Sequence, residues 1–146
     1  MFGAIVVGTD GSETARKAVD AAVELARRHD ADLHVVSAFA PVGGQRLRDE
    51  ALDVPADVQW TVNPREDVDA TLRGAEAQAG AGVRIRSYAR EGDPADAILD
   101  VAEETGADLI VVGNKGMTGA KRFLLGSVPN KVSHHAPCSV LIIRTT

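Results

Sequence analysis

Aromatic residues are scarce in this chain: Phe, Trp and Tyr make up 3% of its 146 residues, with one Trp and one Tyr. A core that cannot rest on large rings must rest on Val, Ile, Leu and Ala, and the hydrophobic share of 45% leaves room for that. Cysteine is almost absent. Cys138, the single thiol, excludes an internal disulfide and sits in an apolar segment, where it reads as a reduced core thiol and points to the cytoplasm. No excess of basic charge is present either. Sixteen Lys and Arg against 21 Asp and Glu leave a net charge of −5, which disfavours nonspecific binding to DNA, RNA or anionic membranes. No apolar run approaches the roughly 20 residues needed to cross a bilayer. The opening MFGAIVVGTDGSE lacks a basic n-region and meets an acid at Asp10, so it reads as a first strand rather than a signal peptide.

What is present suits one domain over 1–146, a length that buries about two-thirds of the unfolded surface without disulfides or metal. Ala4 to Val7 is a short apolar run that ends in the turn Gly8-Thr9-Asp10-Gly11-Ser12. Ser12 is placed to cap a helix whose inward stripe is Ala15, Ala18, Val19, Ala22, Leu25 and Ala26, with Arg27 and Arg28 in the last turn. Leu33 to Phe39 reads as the second strand. The segment 41–62 follows without a sustained period, a length that suits a mobile loop or lid, and Trp60 reads as the anchor pinning it to the body.

Asn63-Pro64 starts a second helix with Val68, Leu72, Ala75 and Ala79 inward. Val83 to Ala89 alternates and fits a sheet edge, its arginines reading as solvated gatekeepers rather than a binding patch. Asp93-Pro94 starts a third helix with Ala97, Ile98, Val101 and Ala102 inward, ended by Gly106. A buried strand over Leu109–Val112, a short helix to His135 and a last strand from Ser139 to Ile143 complete the chain. His134 and His135 are adjacent on a helix and point to different faces, which argues against a shared metal site.

Alternating strands and helices predict an α/β fold: a doubly wound five-stranded parallel sheet with helices on both faces. With strand order 3-2-1-4-5, the order reverses between strands one and four, and ligands of such sheets sit beyond the carboxyl ends at that point. Gly8, Thr9 and Asp10 then face the segment that begins at Val112 and Gly113. That segment is glycine-punctuated: Gly113, Gly116, Gly126 and then Ser127, which is expected to cap the short helix. Bare backbone N–H groups and a helix N-terminus favour phosphate. Asp10 would repel a phosphate, so a ribose hydroxyl pair is its natural partner, with capping of its own turn as the alternative. Lys115, Lys121 and Arg122 are the nearest cations. The Walker A string and the G-x-G-x-x-G fingerprint are both absent.

The spacing G-x2-G-x9-G-S resembles the signature of nucleotide-binding universal stress proteins, and the similarity extends through VVGTDGSETA, GADLIVVG, LLGSVPNKV and CSVLIIR. The resemblance implies an adenine nucleotide alpha hydrolase-like fold and a homodimer that binds ATP or cyclic AMP, with Mg2+ a companion of the phosphates. It would place ribose at Asp10, the adenine edge on the backbone around Ala38, and ribose and phosphates on Gly113, Gly116, Gly126, Ser127 and Val128. One departure is Pro129, where members often have Ser or Thr; it offers neither hydroxyl nor N–H, which keeps cyclic AMP open beside ATP. Independently, Val140-Leu141-Ile142-Ile143 is an apolar strand at a sheet edge, a template for antiparallel pairing with a second copy. The loop offers no evident general base or metal pair, so a stress-response or regulatory binding protein is expected, with weak ATP hydrolysis and a ligand-free interaction protein as alternatives.

Overall fold

The computed structural model describes residues 2–39, 65–114 and 126–145. The expected loop over 41–62, with Trp60, and the expected helix start at Asn63-Pro64 lie outside the described residues, as do Lys115, Gly116, Lys121 and Arg122.

The described residues form five strands, β1 (Ala4–Gly8), β2 (Asp32–Phe39), β3 (Arg84–Glu91), β4 (Leu109–Gly113) and β5 (Ser139–Ile143). Four helices alternate with them: α1 (Glu13–His29), α2 (Arg65–Ala79), α3 (Pro94–Thr105) and α4 (Ser127–His135). All pairings are parallel and the order is β3-β2-β1-β4-β5, as expected.

The helices bury the faces that their periodicity prescribes. In α2 the buried residues are Val68, Leu72, Ala75 and Ala79, the four expected ones. In α3, Ala95 joins Ala97, Ile98, Val101 and Ala102, and the Asp93 side chain caps the helix by accepting from the Asp96 N–H at 3.0 Å. The stripe of α1 differs at its margins. Val23 is buried, whereas Ala15 and Leu25 are only half-buried, because the contact line follows Ala18, Val19, Ala22 and Ala26. Residues at i+4 and i+5 of that line share the sheet-facing arc of a helix with 3.6 residues per turn.

Two cores result, one on each side of the sheet. One joins α1 and α2 to Ile5, Val7, Leu33, Val35, Leu109 and Val111. The other joins α3 and α4 to Val6, Val36, Ala38, Ile110 and Val112. β1, β2 and β4 are therefore covered on both faces, which is why they are nearly continuous apolar runs. The outer strands are not. β3 has no fully buried residue, and β5 carries Leu141, the one large hydrophobic side chain exposed among the described residues.

Candidate functional site

β1 lies between β2 and β4, with Val7 opposite Val111 on one side and Gly8 opposite Val36 on the other. The turn after β1 and the segment after β4 consequently leave the same edge of the sheet from adjacent strands.

The turn after β1 is held mostly by its own groups. The Thr9 N–H donates to the Val36 carbonyl at 2.9 Å, which hooks the turn onto β2. Gly11 N–H donates to Thr9 Oγ1 at 3.1 Å, and Ser12 N–H to Asp10 Oδ1 at 3.0 Å. Gly11 has φ +85°, and a Cβ there would sit 2.7 Å from Thr71 Oγ1 on α2, so glycine is required twice over. Ser12 caps α1, its Oγ accepting from Ala15 N–H at 3.2 Å. Asp10 therefore does close its own turn. Only Oδ1 is used in this way, and Oδ2 has no partner among the described residues.

Three expected site residues have a packing reason of their own. A Cβ on Gly8 would collide with Ile98 Cδ1 and lie 3.0 Å from its Cγ1, so this glycine lets α3 approach the sheet. Ala38 and Val112 are buried in the same core, at 6% and 3% exposure, so only their backbone is available at the sheet edge.

Beyond β4, Asn114 controls the chain. Its N–H donates to the Ile143 carbonyl at 2.8 Å and its carbonyl accepts from Gly126 N–H at 3.0 Å. Its Oδ1 accepts from both Thr145 N–H at 2.9 Å and Thr145 Oγ1 at 3.0 Å. Lys17 Nζ, from α1, reaches the Thr145 carbonyl at 3.0 Å. The two ends of the glycine segment, Gly113 and Gly126, are thus pinned together beside the end of β5. Asn114 and Thr145 were not singled out in the sequence, because neither stands in a repeating pattern and their bond spans 31 residues.

At the start of α4 the expected cap is corrected. Gly126 is the N-cap, extended at φ −66° and ψ 168°, with no side-chain cap bond, and Ser127 is the first helical residue. Gly126 takes the cap position because its carbonyl accepts the first helical bond, from the Asn130 N–H at 3.1 Å, while its own N–H donates to Asn114 outside the helix. Ser127 is left exposed, and its hydroxyl and N–H, with the Val128 N–H, have no partner among the described residues. Pro129 is buried and has no N–H. The described part of the site therefore offers two orphan amides and a hydroxyl at a helix N-terminus, with a carboxylate oxygen on the neighbouring strand's turn.

The model of the universal stress protein family matches residues 1–144. The chain belongs to the universal stress protein family. It is 39% identical to the universal stress protein Rv1636 of Mycobacterium tuberculosis, over 97% of this chain and 96% of that protein. It is 36% identical to the universal stress protein YxiE of Bacillus subtilis, over 99% of this chain and all of the relative. Among solved structures, a universal stress protein in complex with cAMP superposes with a TM-score of 0.74 at 33% identity, covering 99% of both chains. Among the described residues of this family member, no group of three or more His, Cys, Asp or Glu converges to hold a metal, and no helix is long and apolar enough to cross a membrane.

Proposed function

We propose that this universal stress protein is a regulatory protein of the cytoplasm that binds an adenine nucleotide, with ATP as its ligand, at the carboxyl edge of β1 and β4. The observation that carries the reading is the convergence of the Asp10 turn with the pinned ends of the glycine segment on adjacent parallel strands. In this reading Asp10 Oδ2 accepts from a ribose hydroxyl, the backbone near Ala38 meets the base, and Gly8 and Thr9 floor the cleft. Val112 and Gly113 lead into the loop whose Gly116, Lys115 and Arg122 approach the phosphates, and Ser127 and Val128 donate to them from the α4 N-terminus. Any Mg2+ is held by the triphosphate itself. A second reading, cyclic AMP, is favoured by the cAMP complex of a relative 33% identical to this chain and by Pro129, which removes one donor from the first turn of α4.

Binding, not turnover, is the proposed role, since His134 and His135 occupy the last turn of α4, the end away from Gly126. The protein is proposed to act as a homodimer paired antiparallel through Val140, Leu141, Ile142 and Ile143, none of which is buried within one chain. Calorimetry with ATP, ADP and cyclic AMP tests the ligand: saturable binding lost in Gly116→Glu is expected, and a wild-type protein indifferent to all three refutes the reading. A mass measurement in solution at micromolar concentration tests the dimer, with Leu141→Asp expected to give monomer.

A further inference from the structure

The sheet has a groove at the end away from the proposed nucleotide site. It encloses about 850 Å³ and is lined by the amino ends of the strands, at Ala4, Asp32 and Arg84, and by Glu104 and Thr105 at the end of α3. The groove exists because α3 packs mainly over β1 and β2 and covers little of the same face of β3. β2 and β3 run in parallel register, with Asp32 opposite Arg84, His34 opposite Arg86 and Val36 opposite Tyr88, so these six side chains rise from one face.

Most polar groups in the groove are already engaged. Arg84 holds Asp30 Oδ1 at 3.0 Å and Asp32 Oδ1 at 2.5 Å. Arg90 grips Glu104 with two bonds of 2.9 Å, and its guanidinium lies 5.4 Å over the Tyr88 ring. His34 Nδ1 and the Tyr88 hydroxyl are 2.9 Å apart. Two groups remain. Arg86 is exposed and makes no hydrogen bond or ion pair with a described residue. His34 is 8% exposed and its Nε2 has no partner among the described residues, yet no side-chain N or O among them is both buried and unpartnered. The exposed part of His34 therefore includes Nε2, which opens into the groove. Burial, opposed by Asp32 and aided by Arg86, holds this imidazole below its ordinary value, so among the described residues the unpaired charge facing the groove is that of Arg86.

We propose that the groove is a second ligand site, for a small organic anion whose carboxylate or phosphate head pairs with Arg86 and whose body packs on the His34–Tyr88 rings with one hydrogen bond to His34 Nε2. A guanidinium flanked by two neutralised ones, in a chain with 21 acids, is completed by an anion that offers two acceptor oxygens. An inorganic ion would fill little of the volume, whereas the half-buried Tyr88 ring, tilted against His34, provides contact area for an organic body.

The full chain is titrated with benzoate and with phenyl phosphate, and separately with acetate and inorganic phosphate, while backbone amide NMR shifts are followed. Saturable shifts around His34, Arg86, Tyr88 and Thr105 are expected with an organic anion, about tenfold weaker in Arg86→Gln. The tighter of the two probes assigns the head. Arg86→Gln is expected to melt with the wild type, since Arg86 makes no hydrogen bond or ion pair with a described neighbour. No saturation up to on the order of 50 mM overturns the proposal, as does equal binding of acetate or inorganic phosphate. Shifts unaltered in Arg86→Gln overturn it as well. Saturating ATP is expected to leave the affinity unchanged, and displacement of the anion by ATP would mean that the anion occupies the other site and would sink the proposal.

Discussion

Gly8 lies in the segment that the sequence assigns to ligand binding, but the structure gives it a packing reason, and the two can be separated by a double-mutant cycle with Ile98. A Cβ on Gly8 would overlap Ile98 Cδ1 and lie 3.0 Å from Cγ1. Rotation of the Ile98 side chain can remove Cδ1 but leaves Cγ1 in place, and Ile98 is 3% exposed within the core of α3 and α4, so it has little room to turn. Overpacking of this kind costs about 1–2 kcal/mol. Ile98→Val deletes Cδ1 at a cost of about 1 kcal/mol. If the clash is the cause, Gly8→Ala in the Ile98→Val background costs about 1 kcal/mol less than it does in the wild type. Urea unfolding at one fixed protein concentration measures all four corners, which keeps any association constant across the cycle. For a chain of this length 1 kcal/mol corresponds to about 3 °C in Tm, so thermal melts give an independent check. Additivity within about 0.5 kcal/mol would falsify the packing argument and return Gly8 to the ligand site alone.

Replacing Asn114 by Ala leaves the N–H and hydroxyl of Thr145, a residue 3% exposed, without their acceptor, and is expected to cost about 2 kcal/mol and weaken nucleotide binding. Thr145→Ser, which keeps the hydroxyl, is expected to behave as wild type in the same denaturation and calorimetry, and equal losses in the two variants would contradict the assignment. His34 has a folded pKa below its ordinary 6.5, so the unfolded chain takes up the proton first. Its neutral-state stabilisation is complete above pH 6.5 and is lost as pH falls from there toward the folded value, a limb that urea midpoints should show in the wild type and not in His34→Gln. Asp108 is held below 3.8, chiefly by the Gly3 N–H and also by that of Ala4, so its contribution is present above pH 3.8 and disappears as pH falls through the folded value. Asp108→Ala is expected to cost about 1 kcal/mol at neutral pH and to flatten that acid limb, and an unchanged limb would count against it.

The parts of the molecule that follow a period or a punctuation mark were legible in the sequence. The stripe of α2 was readable because apolar residues recur at helical spacing over fifteen residues, and the cap of α3 because Asp93-Pro94 has a fixed local geometry. The strand order followed from the alternation of elements and the resemblance. What was not legible depends on contacts between distant residues. Asn114 is one of two residues between glycines, and only the fold brings Thr145 to it. The Gly126 cap was missed because Ser is the better cap by its chemistry, and only the fold shows that the first helical bond, from Asn130 N–H, ends on the Gly126 carbonyl. The groove at the amino ends was also hidden. Arg84, Arg86 and Arg90 look alike along the strand, and only the fold pairs Arg84 with Asp32 and Arg90 with Glu104 while giving Arg86 no partner among the described residues.

The placement of Asn114 also bears on how a glycine-rich site can be ordered at all. Glycine lets ligand atoms approach the main chain, but each glycine adds backbone freedom that must be lost when the site forms. Closing the segment between Gly113 and Gly126 at its base removes part of that cost before a ligand arrives, because the ends no longer need to find each other. Among the described residues the closure joins Asn114 to the Gly126 N–H on the loop side, and to the Ile143 carbonyl and Thr145 at the end of β5 on the other. Among the described residues β5 pairs with β4 on one side only, and it exposes Leu141. The proposed ligand loop and the proposed dimer strand therefore share one set of hydrogen bonds, so whatever orders one of them lowers the entropy still to be lost by the other.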